Sequence, residues 1–530
     1  MEAGGSTRMM WVLYVHNPGG NRPMSVAVKR HVVVAEPTAL EHARSGFADL
    51  ERWAMSPEAL KLSLDQVERG TERRGREVLR RLLQAHMDQR GPGDVGPALL
   101  VVEGEGRAKE PRRHGQKRRH RRNVLTIFGA LMLHRLAYHA PEAASIHPLD
   151  EQAELPERSF SYEVQRRTVI GMIQGPYEEA VEDVRDWTGL TISKRSAEEM
   201  LQDAARDFDP FYEGRNRSLP PPSKTGVILV AGVDCKGVPM RYQDDLRVVS
   251  RGKNERDNKK RMATVATVFT QEPRVRTPEE VVESLFRKRG PKLIPKDEEA
   301  PRWPGPEHKR VWASLLKTKD EVFAEVVHEV KRRDPKGRKK HVVLTDGERA
   351  LQLRAARELK DSTHVLDLMH ALERVWTCAN CFQPKGSAEA EELAKAWTLE
   401  ILRGKVSQVV KGIRCSATKK KVAPNLRETI QEATAYLLKN KKRMKYDEYL
   451  RDGLPIASGS VEGACKNIVN DRMERSGMRW ALDTEHATSE PMLRMRAVYL
   501  SGDFDEYWEF HLRRERDRLY PSGRWQVTAK

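Results

Sequence analysis

The chain has 530 residues, 38% of them hydrophobic and 32% charged, which is typical of a soluble protein with several modest cores. Lys and Arg outnumber Asp and Glu by 95 to 77, and the net charge of +18 favours a polyanionic partner such as nucleic acid. There is no stretch of about eighteen apolar residues to span a bilayer, no secretory signal pattern, and five cysteines are too few for a disulfide framework. We therefore expect a cytoplasmic protein with no membrane partner. If the source is a prokaryote, which composition does not show, we expect the protein to be associated with the nucleoid.

Shifts in composition and periodicity divide the chain into six regions. The clearest boundary is the Pro-rich linker at residues 218–223. In the N-terminal region, whose role is unclear, recurrent Leu and Val over residues 50–87 predict a helix. The regions are 1–105 (N-terminal), 106–160 (basic segment and small hairpin), 161–217 (helix-turn-helix), 224–370 (catalytic core, first part), 371–451 (helical insertion) and 452–530 (completion of the core, with C-terminal helices).

A strongly basic run at residues 107–122 precedes the hairpin. By composition it fits a solvated linker and a DNA contact about equally well. Two short apolar stretches follow, residues 124–128 and 130–138, and Gly129 separates them. This pattern predicts a small hairpin.

Next come two predicted helices at residues 177–185 and 193–205, joined by a turn that contains Gly189. Ser193 suits an N-cap. A helix, a short Gly-containing turn and a second helix outline a helix-turn-helix motif, whose second helix would enter the major groove. Lys194 and Arg195 at its start would contact DNA, whereas the alternative is an ordinary helical hairpin in a core.

After the linker, the pattern changes to strands alternating with helices, which is typical of an α/β core. From residue 371 onward, helical periodicity takes over, and a final helical block spans residues 460–512. The predicted strands are 227–233, 262–270 and 341–345, with 363–368 opening a further unit, and the predicted helices are 308–333 and 348–359.

Three carboxylates are the strongest candidates for chemistry. Asp234 and Asp346 each follow an apolar strand, and Gly347 follows Asp346 directly. Each Asp alone also suits a turn or a helix N-cap, but two of them at neighbouring strand tips can share divalent cations. Glu462, in a Gly- and Ser-rich helix start, completes a set for two Mg²⁺ ions, with Mn²⁺ as a substitute.

The motifs around these carboxylates carry a family resemblance. They are Asp234-Cys235-Lys236-Gly237, Leu344-Thr345-Asp346-Gly347-Glu348, Gly459-Ser460-Val461-Glu462-Gly463-Ala464-Cys465-Lys466, Asp471-Arg472-Met473, Arg479-Trp480, and Gly502-Asp503-Phe504-Asp505-Glu506-Tyr507-Trp508. With them the chain resembles ISKra-type insertion-sequence transposases over about residues 122–520. The resemblance implies a ribonuclease-H-like mixed-sheet core in which Asp234, Asp346 and Glu462 are catalytic and bind the metal.

The long gap between Asp346 and Glu462 is similar to the helical insertion of Mutator-like and related transposases. Those relatives carry a Cys or Asp, two residues and then His, and Asp367 to His370 match this pattern. The resemblance therefore places His370 near the active site, where it would orient DNA or a metal-bound water. A core histidine is the alternative. The Cys378 and Cys381 pair does not predict zinc, because no second pair completes a structural site.

Several basic residues and one aromatic residue are candidates for DNA contact, because phosphate contacts position a protein on DNA. For the loop lysines a solvated loop is nearly as probable, and for the Trp ordinary core packing is slightly favoured. Besides the two at the helix start, the candidates are Lys253, Lys259, Lys260, Lys466, Arg472, Arg479 and Trp480.

The fold class expected is multidomain α/β plus α: a ribonuclease-H-like mixed-sheet core with an all-helical insertion, preceded by a helix-turn-helix region. The expected function is a DNA transposase that binds terminal inverted repeats, cleaves the ends and joins them to target DNA, as a homodimer or higher oligomer. The alternatives are a nuclease or junction resolvase without strand transfer, and a DNA-binding copy whose catalytic core has decayed. An RNA-binding protein finds no support, because no aromatic-rich recognition strand is visible.

Overall fold

The computed structural model describes residues 37–101, 112–218, 225–241, 260–287, 305–457, 459–482 and 487–528. The chain forms two compact units, Met1–Asp94 and Val95–Lys530. The secondary structure is mixed α/β, as the sequence predicts. Within the described ranges, no helix is both long enough and apolar enough to cross a membrane.

The elements are numbered in chain order over the described residues. The strands are β1 (Leu99–Val101), β2 (Arg112–His114), β3 (Gln116–Thr126), β4 (Gly129–His139), β5 (Ile228–Pro239), β6 (Lys260–Gln271), β7 (Glu307–Ser314), β8 (Lys340–Thr345), β9 (Thr363–Leu366) and β10 (Trp525–Val527). The helices are α1 (Pro37–Ala54), α2 (Leu64–Gln89), α3 (Pro148–Gln152), α4 (Tyr162–Gln174), α5 (Tyr177–Thr188), α6 (Lys194–Ala205), α7 (Phe208–Ser218), α8 (Pro278–Leu285), α9 (Lys319–Arg333), α10 (Arg349–Glu358), α11 (Leu368–Ala379), α12 (Ala388–Leu402), α13 (Val406–Lys419), α14 (Pro424–Asn440), α15 (Tyr446–Arg451), α16 (Gly459–Ala464), α17 (Asp471–Met473), α18 (Ser489–Leu500) and α19 (Phe504–Leu519). A π-helical segment, Cys465–Asn470, joins α16 to α17.

In its described part, the first unit is a pair of helices, α1 and α2, and not the single helix predicted over residues 50–87. Ser63 begins α2 with a capping box, in which Gln66 Oε1 accepts a hydrogen bond from the Ser63 amide at 3.0 Å. Gly70 lies against the indole of Trp53, where any larger side chain would collide with the ring. The leucine pattern alone predicts one continuous helix, but the cap at Ser63 begins a new helix within that range.

Among the described residues, a mixed sheet of five strands forms the centre of the second unit. Its strand order is β7-β6-β5-β8-β9. Strand β6 is antiparallel to β5 and β7, whereas β8 runs parallel to both β5 and β9. The predicted strands at residues 227–233 and 262–270 are largely confirmed within β5 and β6, which are longer because they pair with each other along their full length.

The segment predicted as one long helix over residues 308–333 is instead strand β7 followed by helix α9. Val311 and Trp312 belong to a buried apolar run at the edge of the sheet. The helix begins only after Thr318, whose hydroxyl accepts from the Glu321 amide at 3.3 Å in a capping box. The first part of the helix prediction is therefore wrong, because a short buried strand and a buried helical turn share the same apolar run.

The two faces of the sheet carry separate apolar cores. Leu229 and Ala231 of β5 belong to one core, and the alternating Ile228 and Val230 belong to the other. The first core adds α4–α7, α9, α10, α18 and α19. The second adds α8 and α11–α15. The region predicted as a helical insertion, residues 371–451, is therefore helical and covers one face of the sheet.

The predicted hairpin is present and is longer than its apolar stretches suggest. Strand β3 begins at Gln116, inside the basic run, and pairs antiparallel with β4 up to Thr126. Gly129 at the turn has a φ of 126°, a backbone conformation that favours glycine. The Thr126 hydroxyl donates to the Gly129 carbonyl at 2.9 Å. The second half of the basic run is therefore strand and not linker.

Candidate active site

Asp234 and Asp346 lie side by side on neighbouring parallel strands. Val233 of β5 is in register with Thr345 of β8, so the two aspartates occupy the next position on each strand. Strand β8 ends there, as predicted, but β5 continues to Pro239 because β6 still pairs with it. Asp234 is therefore inside its strand and not at its tip, while the edge of the sheet opens beside it where β8 stops.

The two carboxylates influence each other's charge. Partial burial raises the pKa of Asp346, and the negative charge of Asp234 adds to this effect. The Glu348 amide donates to Asp346 Oδ1 at 2.8 Å and opposes the rise, as does nearby His370. Among the described residues, neither aspartate forms an ion pair.

A buried cysteine contacts the first carboxylate. The thiol of Cys465 donates to Asp234 Oδ2 at 3.4 Å, and the Cys235 amide donates to Asp234 Oδ1 at 2.6 Å. Burial and the charge of Asp234 raise the pKa of Cys465 well above its ordinary value, which keeps this group a neutral donor. The sequence analysis missed this contact. The signal available was the position of Cys465 in the same motif as Glu462.

Glu462, the predicted third carboxylate, lies on the short helix α16. This helix packs against β5 and β6, and its last residue directly precedes Cys465. The backbone at Glu462 is thus three residues before the thiol that contacts Asp234. The side chain of Glu462 is outside the described part of the structure.

An ion pair flanks the aspartates, and the sequence analysis missed it too. Glu348 begins α10, and its carboxylate forms an ion pair with Lys319, the first residue of α9. The Cys235 thiol lies 3.8 Å from Glu348 Oε2. Burial lowers the pKa of Lys319, but its hydrogen bond to Glu348, together with the charges of Cys235 and Glu348, raises the pKa overall. Glu348 is therefore a second candidate for the third acid.

His370 is close to Asp346, as the sequence motif suggests, but on a different element. Asp367 ends the strand region and caps α11, accepting from the Met369 amide at 2.7 Å. His370 is therefore in the first turn of a helix and not on the strand after Asp346. Its ring is about one-third exposed, and its Nδ1 is 3.6 Å from Glu373 Oε2.

The helical insertion contacts the loop that carries Asp346. The Tyr436 hydroxyl, from α14, donates to the Asp346 carbonyl at 2.5 Å. Gly347 has a φ of 91°, and a side chain there would collide with the Tyr436 oxygen. The glycine therefore permits both the backbone conformation and the close approach of the insertion.

Two carboxylates without a cationic partner fit hard divalent cations, which prefer oxygen ligands. No group of three or more His, Cys, Asp or Glu side chains arranged to hold a metal ion is found among the described residues. The donor chemistry of Asp234 and Asp346 suits Mg²⁺ or Mn²⁺, with a further ligand needed from another carboxylate, water or DNA.

Two candidates for DNA contact are buried. For Arg472 this disagrees with the prediction, and for Trp480 it agrees with the core packing that the sequence slightly favours. Arg472 is 1% exposed, donates to the Met172 carbonyl at 2.7 Å, and lies about equally far from the rings of Tyr177 and Trp480. Trp480 is 5% exposed, and its indole donates to the Met473 carbonyl at 2.8 Å. Both side chains pack in the core, where the guanidinium of Arg472 lies beside the two aromatic rings.

The predicted helix-turn-helix pair has the expected boundaries, with Gly189 ending α5 and Ser193 capping α6. Helix α6 packs against α4, α5 and α18, which leaves it little free surface. Lys194 is paired with Glu178 at 2.7 Å, and Arg195 with Glu199 at 3.0 Å. The two helices carry eight acidic and only three basic residues, a charge that disfavours DNA phosphates.

The remaining DNA candidates are scattered. Lys466 and Arg479 are exposed. Lys260 is exposed as well and forms an ion pair with Glu474. Lys253 and Lys259 lie outside the described residues. No model of a known protein family matches the chain, and no curated protein matches it.

Proposed function

We propose that this chain is a DNA transposase that cleaves the ends of its mobile element and joins them to target DNA. The observation that carries the proposal is the placement of Asp234 on one strand and of Asp346 directly after its parallel neighbour, with no ion pair to either carboxylate among the described side chains. The sequence motifs that resemble ISKra-type transposases supply the reaction class.

The sheet supports a ribonuclease-H-like core. Three consecutive strands, β5 to β7, are antiparallel to one another in turn, and two further strands add parallel to β5 on its other side. Helix α9 connects β7 to β8, and α10 connects β8 to β9. The first acid lies on the central strand and the second follows its parallel neighbour. This is the arrangement that the sequence resemblance implies.

In this proposal Asp234 and Asp346 hold Mg²⁺, and Glu462 supplies the third carboxylate from α16. Bound Mg²⁺ lowers the pKa of an attacking water and stabilises the leaving oxygen of the phosphodiester. The backbone amides of Cys235 and Glu348 fix the orientation of the two aspartates. His370, beside Asp346, orients the attacking water or the DNA strand.

A nuclease or resolvase without strand transfer is the second candidate. The acidic, packed α5–α6 pair favours it, because a dedicated end-binding helix would be expected to present a basic, open face. The two candidates share the metal chemistry and differ in whether a 3′-OH replaces water as the attacking group.

The test is an assay of cleavage and joining on a duplex that carries the end of the encoding element, with Mg²⁺. We expect nicked and joined products with wild type and neither with Asp234→Ala. Asp361→Ala is the matched control, because this exposed aspartate lies before β9, away from the pair. Nicked products without joining would favour the nuclease. Cleavage that survives Asp234→Ala would refute the proposed site.

The identity of the third acid is tested separately. Glu462→Gln is expected to abolish cleavage, whereas Glu348→Gln should retain much of it, because Lys319 already neutralises Glu348. The reverse result would assign the third acid to Glu348. DNA binding by all variants shows that the loss is catalytic and not a loss of fold.

A further inference from the structure

We propose that the outer face of the β3–β4 hairpin is a binding surface for duplex DNA. The inference rests on the proposed function, because it names the surface by which such an enzyme holds its substrate. The outer face comprises Lys117, Arg119, Arg121 and Asn123 of β3 with Met132 and His134 of β4.

The pairing register places these side chains on one face of the ribbon. Arg121 is opposite His134, and Asn123 is opposite Met132. Alternate residues of a strand point to opposite faces, and from Arg121 to the turn the burial pattern follows this rule. At the other end of the hairpin Tyr138, opposite Lys117, is buried. The outer residues of β3 are exposed from Lys117 to Asn123, whereas Val124, on the inner face, is buried.

The two faces differ in how their charges are balanced. On the inner face, Arg122 and Arg135 both pair with Asp150 of α3. On the outer face, no described carboxylate pairs with Arg119 or Arg121, and residues 116–139 contain no Asp or Glu at all. Arg119 and Arg121 are therefore positive charges that no described carboxylate balances, and a polyanion can neutralise them.

The inner-face contacts hold the hairpin against the rest of its unit. Besides Asp150, the guanidinium of Arg122 reaches the carbonyls of Glu157 and Arg158 at 3.2 and 3.1 Å. The amide of Leu125 donates to the Ser159 carbonyl at 2.6 Å. A ribbon fixed in this way presents its outer face without having to order itself on binding, which favours affinity.

The dimensions of the ribbon suit a DNA groove. Each strand has 11 residues, which at about 3.4 Å per residue spans roughly one helical turn of B-DNA. The major groove is about 12 Å wide and admits a two-stranded ribbon. Asn123 lies between the arginines and the turn, and Asn is a side chain that can read adenine.

The contrast with α5 and α6 strengthens this assignment. There Lys194 and Arg195 are each held by a glutamate, and acidic residues surround them. Of these two regions, the hairpin carries a net positive charge, whereas the predicted helix-turn-helix pair is net acidic. From composition alone, the basic run at residues 107–122 could be a linker or a DNA contact. Its second half has a defined shape, because it pairs with β4.

The test compares the affinities of the full chain for a duplex oligonucleotide at several salt concentrations, without divalent metal. For the double variant Arg119→Ala, Arg121→Ala we expect an affinity loss of about tenfold or more and a salt slope smaller by about two. The matched control is Lys411→Ala with Lys419→Ala, which removes the same charge from exposed positions of α13. It should leave the affinity nearly unchanged. Restoration of most of the affinity by Arg119→Lys, Arg121→Lys would tie the effect to charge.

Equal losses in the hairpin and control variants would overturn the proposal, as would tighter binding of single-stranded RNA than of duplex DNA by wild type. Thermal denaturation of every variant checks the fold, which substitutions at exposed positions should preserve. Asp346→Ala separates the two proposals, because it should bind the duplex like wild type. If the hairpin variant loses duplex binding, the hairpin surface is supported even when no variant cleaves DNA. If the protein cleaves DNA and the hairpin variants bind the duplex as tightly as wild type, only the hairpin surface is refuted.

Discussion

At the level of single residues, the paired carboxylates of Asp234 and Asp346 suit metal binding but lower the stability of the metal-free fold. Asp346 is partly buried beside Asp234, and both effects raise its pKa. A carboxylate whose folded pKa is raised destabilises the fold as the pH rises through that value, since the ionised form is the disfavoured one. Removing the charge should therefore stabilise the metal-free protein.

We expect Asp346→Asn to raise Tm by about 1–3 °C at neutral pH in a chelator, and the gain should disappear at low pH, where Asp346 is protonated. Added Mg²⁺ should raise Tm for wild type more than for the variant, because it binds the pair of carboxylates. Differential scanning calorimetry measures both effects. A variant less stable than wild type in the chelator would contradict the repulsion inferred here.

Residue identity alone did not separate surface from core around Glu462. Arg472 and Trp480 look like DNA contacts in the sequence, because they follow a catalytic motif in a basic chain. Both side chains pack against Tyr177, which lies about 300 positions earlier in the sequence. The Tyr177 ring meets the Trp480 ring edge to face, and the Arg472 guanidinium lies over the Tyr177 ring. Such a contact exists only after the fold is formed, so no local pattern could reveal it.

At the level of elements, the apolar strands before the two candidate acids can be read from the sequence, whereas the surroundings of each helix cannot. The apolar runs before Asp234 and Asp346 predicted their strands correctly, because a fully buried strand needs them. The α5–α6 pair had clear caps, yet its acidic surface and its packing against α18 decide whether it can meet DNA. Helix boundaries are local properties, whereas exposure depends on distant elements.

The hairpin element has a pH-sensitive attachment. His147, between β4 and α3, lies with its Nε2 3.2 Å from His120 Nδ1. Burial, with the positive charge of Arg135 and of His120, lowers the pKa of His147 to about 4. The unfolded chain binds this proton near pH 6.5, so stability falls as the pH drops from about 6.5 toward 4.

The substitution His147→Gln should flatten this dependence, because the side chain stays polar but no longer titrates. Tm measured between about pH 7 and pH 4.5 should fall less steeply for the variant than for wild type. His134→Gln, at an exposed position of the same hairpin, serves as the control. Identical slopes for wild type and His147→Gln would contradict the effect of burial on this histidine.

At the scale of the whole molecule, the helical insertion is part of the site and not an appendage. Helices α11–α15 cover one face of the sheet, and Tyr436 holds the carbonyl of Asp346. The sequence predicted the insertion by its helical periodicity, but a contact between residues 90 positions apart could not be read from it. The insertion thus fixes the loop on which the second acid depends.

We expect Tyr436→Phe to slow cleavage about tenfold, because a small displacement of the acid costs much of its effect. Tyr436 is a positioning residue, so the variant should also need a higher Mg²⁺ concentration for half-maximal rate. Its free energy of unfolding should fall by only about 1 kcal/mol. An unchanged Mg²⁺ requirement, with a slower rate, would indicate a general loss of structure instead.

We propose that Asp346 binds the metal used in DNA cleavage. Replacing its carboxylate by a thiolate should then change which metal supports cleavage. Thiolate is a softer ligand that binds Mg²⁺ poorly and Mn²⁺ better. For Asp346→Cys we predict no cleavage of the element's end with Mg²⁺ and partial recovery with Mn²⁺, while Asp361→Cys cleaves like wild type with either metal. Cleavage by Asp346→Cys in Mg²⁺ at the wild-type rate would contradict the account.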